Sequence, residues 1–401
     1  MNRLSPLLSL SCLGIFLAGS TFSSAQAQEE RLPKPGAAGN VSLKLEIERA
    51  IERGTTWLKQ HQNAETGAWS DAAQPALTAL PVMAIIGDPN RDLNAPLPES
   101  VDKGYAFILK NQKPDGGIYG KGLATYNTAL SVTALSLSGN KEHLPIIAKA
   151  RRLLINQQQD FDKRGVNDNL FDGGIGYGNS VAHSDLSNTH LALEALYYSK
   201  KVLADTEFDE TSEFDLDWNG AIEFVSRCQN SEETAKTLGK WAGVREEDKG
   251  GFIYFPGDTK SEEIELPDGR TALRSYGSMS YAGLLSLIYA ELSEDDPRVT
   301  AVRKWLANNY TLDENPGMEA QGLFYYYHTM AKALSTSRTG KIELADGKKA
   351  DWRTELAVKL FDQQQNDGSW VNQDSNRWME NDPVLVTSYA LLALEHIYGG
   401  L

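Results

Sequence analysis

Residues 101–138 read VDKGYAFILKNQKPDGGIYGKGLATYNTALSVTALSLS, and their change of character decides the fold. The opening stretch, 101–112, is amphipathic and reads as a helix with one face to water. The closing stretch, 126–138, carries Ala, Leu, Val, Thr and Ser on every side. A helix of that kind must be buried all round. Between them lies a turn with two glycines and an aromatic. Glycine supplies backbone conformations that other residues resist, and the aromatic can plug the gap between two helices.

The same unit recurs in both directions. Amphipathic first helices are expected at 43–62, 101–112, 145–159, 217–229, 297–309 and 351–365, with apolar residues at helical spacing as in Ile47, Ile51 and Leu58 or Ile222 and Val225. Apolar second helices are expected at 74–86, 126–138, 185–200, 278–291, 322–335 and 384–398. Pro81, inside the first of these, predicts a kink or an early end. The turns read QNAETGAW (62–69), NQKPDGGIY (111–119), DGGIGY (172–177), KGGFIYF (249–255), AQGLFYY (320–326) and QQNDGSW (364–370). A repeat of this length points to one continuous domain, 43–401. The expected architecture is an all-α, double-layered ring of six outer-inner helix pairs. Two insertions, 230–277 and 339–352, place Asp-Gly at the centre of apolar-polar alternation, so each is expected to form a small β-hairpin or lid over one rim.

The N-terminus reads as a signal peptide over 1–27. Arg3 is the positive region, Leu7 to Ala18 the apolar region, and Ala25-Gln26-Ala27 the cleavage site, so the mature chain would start at Gln28 and be exported to the periplasm or beyond. Residues 28–42 read as a flexible lead-in. Only Cys12 and Cys228 are present, which leaves the mature chain with one thiol and no disulfide. The net charge of −15 argues against nucleic acid and anionic lipid surfaces as partners.

The Gly-x-aromatic turns, the six helix pairs and the segment Asp185-Leu186-Ser187-Asn188-Thr189 together resemble the terpene cyclase and prenyltransferase superfamily across nearly all of 43–401. The turns look like the repeats of squalene cyclases. The resemblance implies an α/α toroid with a central cavity. Squalene-hopene cyclases protonate an alkene with the central acid of an Asp-x-Asp-Asp-Thr motif. Here Ser187 and Asn188 stand at the second and third acid positions, and neither can protonate an alkene. Asp185 remains, either as an acid or as a helix N-cap. Protein prenyltransferases of the superfamily hold zinc with Asp, Cys and His. His328 matches the histidine, but the other positions fall on Arg274 and Tyr276, so neither a metal nor another cofactor is expected.

The toroid would turn the tops of its inner helices to the cavity. Catalytic candidates are Asp185, His328 and Tyr281. Ligand-binding candidates are Tyr126, Asn127, His183, Asn188, His190, Tyr276, Tyr327, Trp378 and Asp382, with Ser278 and Thr387 beside them. His328 reads equally as a satisfied core histidine, and Asp382-Pro383 as a helix start. Three functions stay open at this point. The first is a cyclase-like protein that holds an isoprenoid or other small apolar molecule. The second is a carbohydrate-active enzyme taking a glycan, and the third a non-catalytic envelope scaffold.

Overall fold

The computed structural model describes residues 37–178 and 183–401. The expected signal peptide and residues 28–36 lie outside the described residues. In chain order the helices are α1 (Ala37–Gln60), α2 (Ala76–Ile86), α3 (Glu99–Lys110), α4 (Ala124–Ser136), α5 (Leu144–Asn156), α6 (Leu186–Leu203), α7 (Trp218–Arg227), α8 (Glu232–Leu238), α9 (Gly277–Tyr289), α10 (Pro297–Asn308), α11 (Leu323–Thr336), α12 (Trp352–Gln363) and α13 (Pro383–Tyr398). The first helix starts at Ala37, so residues 37–42 of the expected lead-in are helical.

The apolar helices α2, α4, α6, α9, α11 and α13 pack side by side, and α13 returns to α2. They form a closed inner ring. Around it α1, α3, α5, α7, α10 and α12 make the outer layer, and the expected α/α toroid is what the chain adopts. Helix α2 runs unbroken through Pro81, without the early end expected there. Proline removes one hydrogen bond, but every residue of α2 is buried, and packing on all sides holds the helix. Among the described residues no helix is long and apolar enough to cross a membrane.

Side chains set the helix starts. Asp185, Asp217, Asp296, Asp351 and Asp382 each accept a backbone N–H in the first turn of α6, α7, α10, α12 and α13. The turns then gear one repeat to the next. Gln62, Gln158, Gln229 and Gln364 each donate twice from Nε2. One bond goes to the carbonyl of the turn glycine and one to the next outer helix or its cap residue. The turn glycine Gly173 has φ +81°, and a Cβ there would lie 2.0 Å from Gly220 O. Only glycine fits so close an approach. The indoles of Trp69 and Trp370 donate to Leu58 O and Leu360 O at the ends of α1 and α12.

Two of the six turns lack the pair of glutamine bonds: in 111–119 Gln112 Nε2 is buried without a partner, and 320–326 is built differently. Gly322 (φ +67°) caps α11 instead, and the gap between α10 and α12 is bridged by Tyr310 donating to Glu355 and Lys359 to Asp313. Sequence similarity in this turn came from glycine and aromatic residues that serve different neighbours.

Both insertions contain the expected hairpin. In the first, β1 (Ala242–Gly243), β2 (Glu263–Glu265) and β3 (Thr271–Leu273) form a sheet in the order β1-β3-β2. Strands β2 and β3 are antiparallel, with Ile264 opposite Ala272, and β1 runs parallel to β3. In the second, β4 (Ile342–Glu343) pairs with β5 (Lys349–Ala350). Only the first insertion reaches the cavity, through Tyr254, Lys260 and Tyr276. The second follows the C-terminal end of α11, and none of its residues lines the cavity.

Candidate functional site

A cavity of about 510 Å³ occupies the centre of the inner ring. Each inner helix presents one stripe to it, at the three- and four-residue spacing of a helix face. On α2 the stripe is Leu77, Leu80, Met83 and Ile86. On α4 it is Tyr126, Leu130, Thr133 and Leu137, and on α13 Leu385, Tyr389, Leu392 and His396. On α6 it runs Ser187, Leu191, Glu194 and Tyr198, and on α11 Tyr325, His328, Lys332 and Ser335. Helix α9 lines only the top, with Ser278 and Met279.

The mouth is a collar of aromatics: Tyr126, Tyr177, Tyr254, Tyr276, Tyr325 and Trp378. Tyr254 donates its hydroxyl hydrogen to Tyr177 at 3.1 Å. Lys260 Nζ sits 4.4 Å from the centre of the Tyr254 ring, and the Arg377 guanidinium 4.4 Å from the Trp378 ring. Three rim residues, Leu123, Trp378 and Met379, adopt left-handed backbone at φ 48°, 55° and 64°. All three are large, apolar and exposed. Left-handed backbone in non-glycine residues costs energy and gathers at functional rims. Beneath them Glu380 is buried. It accepts from the backbone N–H of Tyr325 at 2.8 Å and from Asn372 Nδ2 at 2.7 Å. Burial pushes its carboxyl up to about 7, against hydrogen bonds that lower it.

Halfway down the cavity lies a polar belt. Lys332 of α11 donates to Glu194 Oε1 of α6, spanning the helix between them. His190 Nε2 is 4.0 Å from Glu194 Oε2. The His328 ring stacks 5.5 Å from Tyr389 and lies 6.1 Å from His396. Burial, then the Lys332 charge, lowers His190 and His396 to about 3. The same two causes, followed by the neighbouring histidines, push His328 down. All three imidazoles are therefore neutral near pH 7. Glu194 Oε2, His190 Nδ1 and His328 Nδ1 are buried and have no hydrogen-bond partner. Deeper still, burial raises the Glu395 carboxyl well above the ordinary range.

The cavity brings together seven of the sequence candidates: Tyr126, Asn188, His190, Tyr276, Ser278, His328 and Trp378. The other seven lie elsewhere. Asp185 is fully buried as the cap of α6, accepting from Asn188 N and Nδ2 at 2.8 Å each. Burial raises its carboxyl to about 6 against those bonds. Ser187, two residues on, faces the cavity. Tyr281 points away from it and packs on Tyr326 at 5.7 Å. Tyr327 donates to Leu312 O at 2.5 Å in the outer layer. Asn127 joins two helix starts, accepting from Ala76 N and donating to Gln74 Oε1. His183 packs with its ring tilted against Phe255 at 4.7 Å, and Asp382 caps α13. Thr387 also turns outward, accepting from Trp370 N. Of the residues matching zinc positions, Arg274 pairs with Glu262 at 3.4 Å on the hairpin, and Tyr276 joins the collar.

Reading the helix tops alone missed Glu194, Lys332, Glu380 and His396. A signal for two of them was present. Glu194 and Lys332 follow His190 and His328 by four residues, within helices otherwise apolar all round. A charge there must face a cavity or a partner.

No family model matches the chain, and no curated protein matches it. Solved structures do. An apo structure of a variant of the type II terpene cyclase MstE from Scytonema superposes with TM-score 0.55 at 13% identity, over 90% of this chain and 99% of that one. Another MstE variant, in complex with geranylgeranyl dihydroxybenzoate as substrate, matches with TM-score 0.51 at 13% identity, over 90% and 100%. A possible member of the GH105 family from Salmonella enterica matches with TM-score 0.50 at 10% identity, over 96% and 99%. At such identities the likeness is one of architecture, and it establishes that this chain has the α/α-toroid fold of the terpene cyclases.

Proposed function

We propose that the chain is an exported toroid that holds an isoprenoid or similar apolar molecule in its central cavity. The observation that carries this reading is the apolar wall of α2 and α4, with Leu77, Leu80, Met83, Ile86, Leu130 and Leu137 in line beneath an aromatic collar and Thr133 its one polar member. Pockets of this volume that are mostly apolar with few polar groups suit compact hydrophobic ligands. Two of the MstE variant structures, which share the fold, are complexes with geranylgeranyl dihydroxybenzoate as substrate.

The reading does not include proton-initiated cyclisation through the family's motif. The side chain that meets the cavity there is the hydroxyl of Ser187, whereas the carboxyl of Asp185 is occupied as a cap. A hydroxyl is far too weak an acid for an alkene. A scaffold role has less support, because a scaffold gains nothing from an open cavity of this size. A glycan enzyme has less support, because it would need two carboxylates set for acid-base work, and Glu194 is held through Oε1 by Lys332 while Glu380 is held by Tyr325 N and Asn372.

Native mass spectrometry of the protein purified from its own host tests the reading. A bound mass that extracts as an isoprenoid or related lipid is expected, together with a mature N-terminus at Gln28. Ligand-free protein that binds oligosaccharides and no isoprenoid would overturn it.

A further inference from the structure

The belt between α6 and α11 has a chemistry the apolar wall does not explain. Glu194 and Lys332 neutralise one another. The flanking imidazoles of His190, His328 and His396 add hydrogen-bonding capacity without charge. Three polar atoms remain unpartnered: Glu194 Oε2, a strong acceptor, and the Nδ1 atoms of His190 and His328. Both histidines and Glu194 are more than nine-tenths buried, and all three line the cavity. Unpaired buried polar atoms are costly, and these three face a cavity from which a ligand group can reach them.

The opposite wall is different. In the ring order, α2 stands across from α9 and so faces the gap that the Glu194–Lys332 pair fills. The cavity therefore has a polar side and an apolar side at the same depth. A molecule that satisfied both would be an amphiphile lying across the ring.

Charge selects the kind of head. The belt is already neutral, so an anionic head would place an unbalanced charge beside Glu194 in a dry site. A cationic head would meet Lys332. Neither has a free counter-charge in the belt. A diphosphate would need several cations, whereas Lys332 is alone and already engaged. An uncharged hydroxyl fits: it can donate to Glu194 Oε2 and accept from an imidazole N–H.

We propose that this belt is a head-group site for the uncharged hydroxyl end of a prenyl alcohol or prenylated phenol, whose chain lies on the α2–α4 wall. The proposal rests on the reading of an apolar ligand given above. The test is equilibrium binding to the purified mature protein, followed by intrinsic fluorescence, of a set with one common chain: geranylgeraniol, geranylgeranyl diphosphate, geranylgeranoic acid and the parent hydrocarbon. The alcohol is expected to bind at least about tenfold tighter than each of the others. In the double variant Glu194→Leu/Lys332→Met, which leaves neither a lone buried charge nor an acceptor at 194, the alcohol should lose most of its advantage over the hydrocarbon while the hydrocarbon is unaffected. Equal binding of alcohol and hydrocarbon, or tighter binding of either anion, would refute the head-group site and leave the apolar-ligand reading standing. Failure of all four to bind would overturn both. The comparison among ligands on the unaltered protein decides the matter even if the variant does not fold.

Discussion

The collar at the cavity mouth and the belt below it draw on the same inner helices, and they solve opposite problems. The belt is built from residues in mid-helix, on regular backbone, and it buries an ion pair with neutral imidazoles around it. The collar is built at helix starts and from loops. Its rim residues Leu123, Trp378 and Met379 are in left-handed backbone and remain exposed, and within it the Tyr254 hydroxyl donates to Tyr177. Regular backbone carries the polar atoms that must be placed accurately, and three of the nine described non-glycine residues in left-handed backbone gather at the mouth.

The sharpest way to break the contrast is to unbalance the belt. Lys332→Met should destabilise the fold by roughly 3–5 kcal/mol, because it leaves the Glu194 carboxylate buried without its partner. Adding Glu194→Gln should restore most of that loss. Urea unfolding of both variants measures the difference, and equal losses would show that the pair is not buried as a unit.

The two regions should also answer pH with opposite sign. Glu380, in the collar, is raised from 4.5 to about 7. Between those values the folded protein holds a proton that the unfolded chain gives up, so stability falls as pH rises through that window. His396, in the belt, is lowered from 6.5 to about 3. There the unfolded chain takes up a proton that the fold refuses, so stability is lost as pH falls below 6.5. A single group sets a slope of at most about 1.4 kcal/mol per pH unit. Glu380→Gln should therefore gain on the unaltered protein as pH rises from 4.5 to 7. His396→Gln should gain as pH falls below 6.5. Parallel unfolding curves across the pH series would refute both assignments.

Smaller effects probe the collar alone. Met379→Gly should be neutral or stabilise by about 1 kcal/mol, since glycine adopts φ +64° without strain. Thr133→Gly, on the cavity stripe of α4, should instead destabilise, by roughly 0.3–0.5 kcal/mol from helix propensity alone. Thermal melts distinguish the two signs. Tyr254→Phe removes the hydroxyl bond to Tyr177 and should cost roughly 0.5–1 kcal/mol, readable in the same experiment.

The alternation of helices was legible before any coordinates. Ile47, Ile51 and Leu58 mark an outer face, and 126–138 could only be buried, so the ring followed from counting such pairs. Misreadings arose where similar residues serve different partners. Gly322 repeats the composition of the other turns but caps α11, and residues 37–42 continue a helix through Gly39. The site was half legible. Tyr126, His190 and His328 reach the cavity as read from helix tops. Tyr281 and Tyr327 do not, because a helix apolar on every side carries no mark of which side faces the axis.

By itself, then, the sequence determined the six outer-inner helix pairs, their order and most of the turns that gear them. Those features are periodic or local, and a single chain segment expresses them. Only the tertiary structure decided that Glu194 meets Lys332 across α9, that Asp185 turns inward as a cap while Ser187 faces the cavity, and that Glu380 lies under the rim. Residues 138 positions apart become partners only when α13 closes on α2 and the stripes of separate helices are brought to face one cavity.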